Sequence, residues 1–379
     1  MRIIPNQGRP APGLVPYWVW QRRRPKMLVT DLLRKVVVFV GRKEPQGAPA
    51  DAQTFAADGT GFIFLMMAHN FAFPYVVTAK HVIDQAAGED KKNDIFLRIN
   101  TQAGGVDYVK TKFGAWITHP DHRETGRKQK YIDVAALSLV DYHGWARTDI
   151  FDKYDFTHLD EEDICTEEII KKYVIGLGDE VVIPGLFHSH VGEVQNVPIV
   201  RIGNIAAMRG EPVPTDRGPM DAYLVEMRSV GGISGSPVLT HMAMRPKILL
   251  PESDRSTKIE QSTKDHYLLG LMHGHYTITT QDEWVFKTEQ KVGDINAGIA
   301  VVVPAEKIME TILRSRQFIE GCEMARKYDE YRKSQAKTVE DSAPSAKSEA
   351  ADDANPNHLK DFTRLVDVAV RKRPPDDQT

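Results

Sequence analysis

From about Met27 onward the chain alternates short apolar runs with turns rich in glycine, proline and polar residues. The runs read KVVVFVG, GTGFIFLMM, YVVTAKHVI, DIFLRIN, DVAALSLV, EVVIPGLF, IVRIGNIA, AYLVEMR, SPVLTH, YLLGLMHG, EWVFKT and GIAVVVP. Many are rich in β-branched and aromatic residues, and turn signals bound most of them. That pattern predicts a mostly β protein, an antiparallel barrel or sandwich. The acidic segment HLDEEDICTEEIIKKY interrupts the series and reads as a helical insertion between two β units.

Helical spacing dominates only after Pro304. In AEKIMETILRSRQFIEGCEMARKYDEY the positions Ile308, Ile312 and Ile319 recur near the helical period, predicting one closing helix packed on the body. The text that follows, SQAKTVEDSAPSAKSEAADDA, is polar and aperiodic, the composition of a disordered linker. A second pattern then begins, with Asn355 as cap, Pro356 in the first turn, and Leu359, Phe362, Val366 and Ala369 on one face. Arg371, Lys372 and Arg373 suit the C-terminal end of that helix. The organisation expected is an N-terminal arm (1–26), a body (27–330), a disordered linker (331–356) and a short amphipathic helix with its tail (357–379). Such a helix is marginal alone, so it either docks on its own body or binds a protein partner.

Composition narrows the classes of function. A chain of 379 residues can bury a large core. Its 49 basic and 52 acidic residues leave a formal net charge of −3, so nothing in the overall field favours nucleic acid. The basic run QRRRPK, behind Trp18 and Trp20, reads as a solvated arm, with a membrane surface or nucleic acid as the other reading. Two cysteines, Cys165 and Cys322, are too few and too far apart for a disulfide framework or a thiolate metal site. The histidine pairs His119/His122, His188/His190 and His273/His275 lack cysteine partners, so no metal or other cofactor is expected. The N-terminal text lacks the apolar core of a signal sequence and no run reaches membrane-spanning length, which places the expected location in the cytoplasm.

Candidate chemistry centres on VGGISGSPVL, Val230 to Leu239. Glycines around Ser234 permit a tight loop whose amides at Gly232 and Ser234 point one way, as an oxyanion trap requires. A plain hairpin turn would use the same residues. A serine hydroxyl also needs a base. In YVVTAKHVI, His81 falls at the strand end or in a first helical turn, where an imidazole is exposed. Asp133 heads the apolar strand of KYIDVAALSLV, and a carboxylate there needs a charged or hydrogen-bonded partner.

The texts TAKH, IDVAAL and GISGSP, in that order, resemble the three motifs of the trypsin/chymotrypsin-like serine proteases. GTGFIF resembles the bacterial HtrA-type branch, here without a following PDZ module. The resemblance extends over residues 30 to 315 and implies two antiparallel six-stranded β-barrels with the site between them. It implies roles for three side chains: Ser234 as nucleophile, His81 as general base and acid, and Asp133 as its orienter. Gly232 and Ser234 would supply the oxyanion amides, and a peptide or protein would be the substrate. Arg228 would stand at the base of the substrate pocket, or else point outward or pair with Glu226. His273, Gly274 and His275 would line the rim, and Gly298 and Ala300 the far wall. Two departures matter. Ile233 replaces the acidic residue that animal digestive members pair with a new N-terminus, and Ser236 replaces the second glycine after the nucleophile. The function expected is an intracellular serine endopeptidase; the alternative is a protease-like scaffold with a latent or inactive site.

Overall fold

The computed structural model describes residues 15–16, 33–44, 49, 54–123, 131–139, 150–227, 231–242, 264–278 and 295–341. The run EWVFKT, most of the N-terminal arm with its basic cluster, Arg228, and the C-terminal helix of 357–379 lie outside the described residues.

Nine strands form the first sheet: β1 (Val15–Pro16), β2 (Val37–Glu44), β3 (Thr54–Ala68), β4 (Phe71–Thr78), β5 (Asp94–Asn100), β6 (Val106–Lys112), β7 (Ile117–Thr118), β8 (Ala135–Ser138) and β9 (Leu159–Asp160). Their order is β6-β5-β2-β3-β4-β8-β7, with β1 added to β4 and β9 laid parallel on β3. This corrects the expected first barrel, because the sheet is open. Its end strands are unsuited to pair: β7 spans two residues, and β6 carries exposed Lys110 on its edge. Lys110 and Lys112 are both drawn to Asp94 on the neighbouring strand, and a charged edge of this kind resists further pairing. Part of the N-terminal arm also joins the body, since β1 pairs Val15 with Ala72 and Pro16 with Phe71.

The second unit is the closed six-stranded barrel that was expected. It contains β10 (Glu180–Gly185), β11 (Ile199–Ala207), β12 (Tyr223–Glu226), β13 (Pro237–His241), β14 (His266–Ile278) and β15 (Ile295–Pro304), joined antiparallel in the order β10-β11-β12-β15-β14-β13 and back to β10. Register shifts in β14 between Met272 and Gly274 and between His275 and Thr277 mark bulges, which bend a strand enough to help a small barrel close. Val181, Ile183, Tyr223, Val225, Val238, Leu269 and Val302 fill its interior. Phe39, Phe62, Phe64, Tyr75 and Val77 anchor the first sheet's core.

Five α-helices lie wholly within the described residues: α1 (Lys80–Ala87), α2 (Ile150–Lys153), α3 (Glu167–Tyr173), α4 (Ala305–Leu313) and α5 (Arg316–Asp341). The predicted single closing helix is therefore two. The break follows from Ser315, whose Oγ accepts the Phe318 amide at 3.1 Å and starts a new helix. Ile308 and Ile312 are fully buried, whereas Ile319, beyond the break, is 48% exposed. α5 also runs on to Asp341, so residues 331–341 are helical where a disordered linker was expected. No described helix is long and apolar enough to cross a membrane.

Candidate active site

The strand β4 ends at Thr78, and the chain turns at Ala79 directly into α1, which carries His81 in its first turn. Asp133 precedes β8 by two residues and is completely buried. Its Oδ1 accepts the His81 backbone N–H at 2.9 Å, and its Oδ2 lies 2.7 Å from His81 Nδ1. The Tyr131 hydroxyl adds a longer contact to Oδ1 at 3.4 Å. Burial alone would push the Asp133 carboxyl up, but the adjacent His81 and the hydrogen bonds from His273 and His81 outweigh it and hold the group well below the ordinary carboxylate range. An ionised carboxylate only accepts, so His81 carries its proton on Nδ1 and, when neutral, has its free lone pair on Nε2.

Sequence reasoning did not foresee a second imidazole on the same carboxylate. His273 Nδ1 lies 2.5 Å from Asp133 Oδ2, and the His81 and His273 rings meet edge to face at 5.2 Å between centroids. His273 is the extra residue in the first β14 bulge, between Met272 and Gly274, where a residue leaves the regular alternation. Its backbone carbonyl accepts the Ser234 hydroxyl at 3.0 Å. One residue thus touches both the carboxylate and the serine. His273, expected at a pocket rim, is buried, with 8% of the residue exposed.

The Ser234 loop is held chiefly by Thr60 of β3, which is fully buried. Thr60 Oγ1 donates to the Gly232 carbonyl at 2.8 Å and accepts the Leu186 amide at 2.9 Å, while the Thr60 amide donates to the Ser234 carbonyl at 2.9 Å. The Gly235 amide donates to the Met272 carbonyl at 2.8 Å. Gly232 and Gly235 have φ of +103° and +84°, and a Cβ at Gly235 would fall 2.0 Å from the Thr60 carbonyl oxygen. Glycine is required there for both conformation and space. Among the described residues no acceptor engages the amides of Gly232 or Ser234, which leaves both free for an oxyanion. Ile233 is buried in the core of the closed barrel, so an apolar anchor fixes the loop. Ser236 fits because Gly185 faces it: a Cβ on Gly185 would lie 2.2 Å from Ser236 Oγ. His188 rests on the same loop, its Cδ2 3.0 Å from where a Gly232 Cβ would stand.

The other predicted pocket residues divide. Among the described residues, a Cβ on Gly274 would meet nothing within 4 Å and one on Gly298 only the Met227 oxygen, at 4.0 Å. His275 is exposed, and Ala300 belongs to the apolar interior of the barrel. A cleft of about 630 Å³ opens beside the site instead, lined by Lys80, Asp84, Lys91, Phe113, Tyr131, Asp216 and Arg217. It abuts the site through Lys80, next to His81, and through Tyr131, whose hydroxyl reaches Asp133.

His81, Asp133 and His273 are also the one group among the described residues close enough to offer three metal ligands. The nitrogen–oxygen separations of 2.7 and 2.5 Å are shorter than the roughly 3 Å or more between neighbouring ligands of a metal bonded at about 2.0–2.2 Å, and fit hydrogen bonds instead. Chemically, the arrangement offers an oriented imidazole base, a hydroxyl on a loop held by buried hydrogen bonds, and two amides that no described residue engages.

No known family's sequence profile matches the chain, and no curated protein matches its sequence. Among solved structures, the apo crystal structure of the MamO protease domain from Magnetospirillum magneticum is similar over 74% of this chain and 97% of that one, at 14% identity and a TM-score of 0.38.

Proposed function

We propose that the chain is a serine endopeptidase acting on protein or peptide substrates through Ser234, His81 and Asp133. The observation that carries this reading is the chain of contacts from Asp133 to His81 on one side and through His273 to Ser234 on the other, beside a loop whose Gly232 and Ser234 amides no described residue engages. Ser234 Oγ attacks the substrate carbonyl, His81 Nε2 takes its proton, and the Gly232 and Ser234 amides bind the oxyanion. The proton then passes to the leaving amine, which departs, and water hydrolyses the acyl-enzyme with His81 again as base. The Ser234 hydroxyl points to the His273 carbonyl and makes no hydrogen bond to His81, so a side-chain rotation precedes attack. That same contact favours the second reading, a latent or inactive protease-like scaffold. We place the activity in the cytoplasm, a setting that suits a chain whose Cys165 and Cys322 are not joined by a disulfide.

Cleavage of a mixed peptide library by the full chain tests the proposal. Turnover by the wild type, lowered by about 10⁴ or more in both Ser234→Ala and His81→Ala, is the expected result. Equal residual cleavage in all three proteins would assign it to a contaminant and favour the scaffold.

A further inference from the structure

We infer that Arg98 is a positioning residue: it ties the loop of residues 187–197 to the first sheet and so holds His188 against the turn that carries the Gly232 and Ser234 amides. The consequence for catalysis rests on the endopeptidase reading above, whereas the coupling of the loop to that turn does not.

The run DIFLRIN of β5 alternates, with Ile95, Leu97 and Ile99 in the core and Arg98 and Asn100 together on the opposite face. Arg98 is only 2% exposed. A guanidinium taken out of water must have its donors met, and this one turns both terminal nitrogens to a single loop. Its Nη2 donates to the Gly192 carbonyl at 2.7 Å and the Glu193 carbonyl at 3.1 Å, and its Nη1 to Asn196 Oδ1 at 2.6 Å and the Val191 carbonyl at 3.3 Å. Nε donates to the Tyr108 hydroxyl at 3.3 Å. Asn196 returns the contact: its Nδ2 donates to the Arg98 carbonyl and its backbone amide to Asn100 Oδ1, both at 2.7 Å. Within the loop the Val197 amide donates to the Val191 carbonyl at 3.1 Å. Gly192 takes φ of +89°, and a Cβ there would fall 2.1 Å from the Gln195 carbonyl oxygen.

Asn196 is the only buried residue from 187 to 197, with Val191 half-buried against the core and Val194 exposed, so polar contacts more than apolar burial give this loop its shape. Just ahead of it the Leu186 amide is fixed on Thr60 Oγ1 at 2.9 Å. Residues 187–190 therefore run between two anchors, Thr60 at one end and Arg98 at the other. The His190 amide folds them into a turn by donating to the Phe187 carbonyl at 2.8 Å. His188 lies in that turn. Its Cδ2 is 3.3 Å from where a Gly231 Cβ would stand and 3.0 Å from where a Gly232 Cβ would. Gly232, at φ of +103° and without a side chain, depends on such neighbours for its orientation. Release of the Arg98 anchor gives the short segment back its conformational freedom, and His188 then leaves the glycines for part of the time.

The test is hydrogen exchange read by mass spectrometry on the full-length protein, for wild type, Arg98→Met, Arg98→Lys and His188→Ala. The amides of Asn196 and Val197 report the loop, and those of Gly235 and Ser236, bonded to the Met272 and Ile233 carbonyls, report the serine turn. Arg98→Met should speed exchange by about tenfold or more at both reporters, while peptides from β4 keep the wild-type rate. Arg98→Lys, which keeps the charge but not the fork, should fall between, and it decides the matter if the methionine variant does not fold. His188→Ala should speed Gly235 and Ser236 and leave Asn196 and Val197 as they were. Arg98 variants that leave Gly235 and Ser236 at the wild-type rate, with or without a loosened loop, would overturn the inference, and so would a His188→Ala that does the same. Fluorophosphonate labelling of Ser234 should slow in the same order as exchange rises. If the wild type takes no label, the enzyme reading fails while the exchange comparison still decides the role of Arg98.

Discussion

Thr60 is one buried threonine on which the geometry of the Ser234 loop depends. Its hydroxyl joins the Gly232 carbonyl to the Leu186 amide, both inside the protein. Thr60→Val keeps the shape and strands both partners, so a loss of about 2–4 kcal/mol in urea unfolding is expected, with labelling of Ser234 slowed. A second pair is readable from sterics. Gly185→Ala would drive a methyl group into Ser236 Oγ, a hydroxyl with no hydrogen-bond partner among the described residues. The single change should cost about 1–3 kcal/mol, Ser236→Ala should cost nothing or stabilise, and the double variant should recover most of the loss. Failure of that recovery would show that another neighbour limits Gly185. At this scale the sequence singled out His81, Asp133 and Ser234 from short texts, and in the structure His81 lies on Asp133 while Ser234 bonds the His273 carbonyl. It was uninformative for the contact between His273 and Asp133. That contact depends on a bulge, which Gly274 in LMHGH could signal, but a strand glycine does not say which side chain the bulge re-aims.

Among the elements, the runs with continuous apolar character were legible, and each that lies within the described residues became a strand or supplied one. β6 was missed because VDYVKTK buries only Val109 and is otherwise polar, as an edge strand can be. β1, β7 and β9 have two residues each and carry no periodic signal. The open first sheet could not be read from pattern, since closure depends on which edges meet. The division of the closing helix was present in one residue, Ser315, that the apolar spacing across it concealed. Ser315→Ala should remove the cap of α5 and cost about 1 kcal/mol, measured by thermal unfolding. A cost near zero would mean that the packing of Phe318 alone sets the break.

For the whole molecule, two buried groups and one partly buried group give the stability a definite pH dependence. Burial pushes the His119 imidazole down despite Glu310 at 3.0 Å, and burial likewise pushes His266 down. The unfolded chain therefore takes up protons first. Stability should fall as pH drops from the ordinary imidazole value, about 6.5, through the native values. Asp133 is held below the ordinary carboxylate value, so its contribution is present above about pH 3.9 and is lost as pH falls further through its native value. Urea midpoints from pH 7.5 down to 3 should show both declines, and His119→Gln should flatten the first. An unchanged slope in that variant would remove His119 from the account. The central claim, that the two β units bring Ser234, His81 and Asp133 into one working site, is tested most directly by a fluorophosphonate probe with the adduct located by mass spectrometry. The account predicts a single adduct on Ser234 in the wild type, absent in Ser234→Ala and His81→Ala. A folded wild type that takes no adduct, or takes it on another residue, would contradict it.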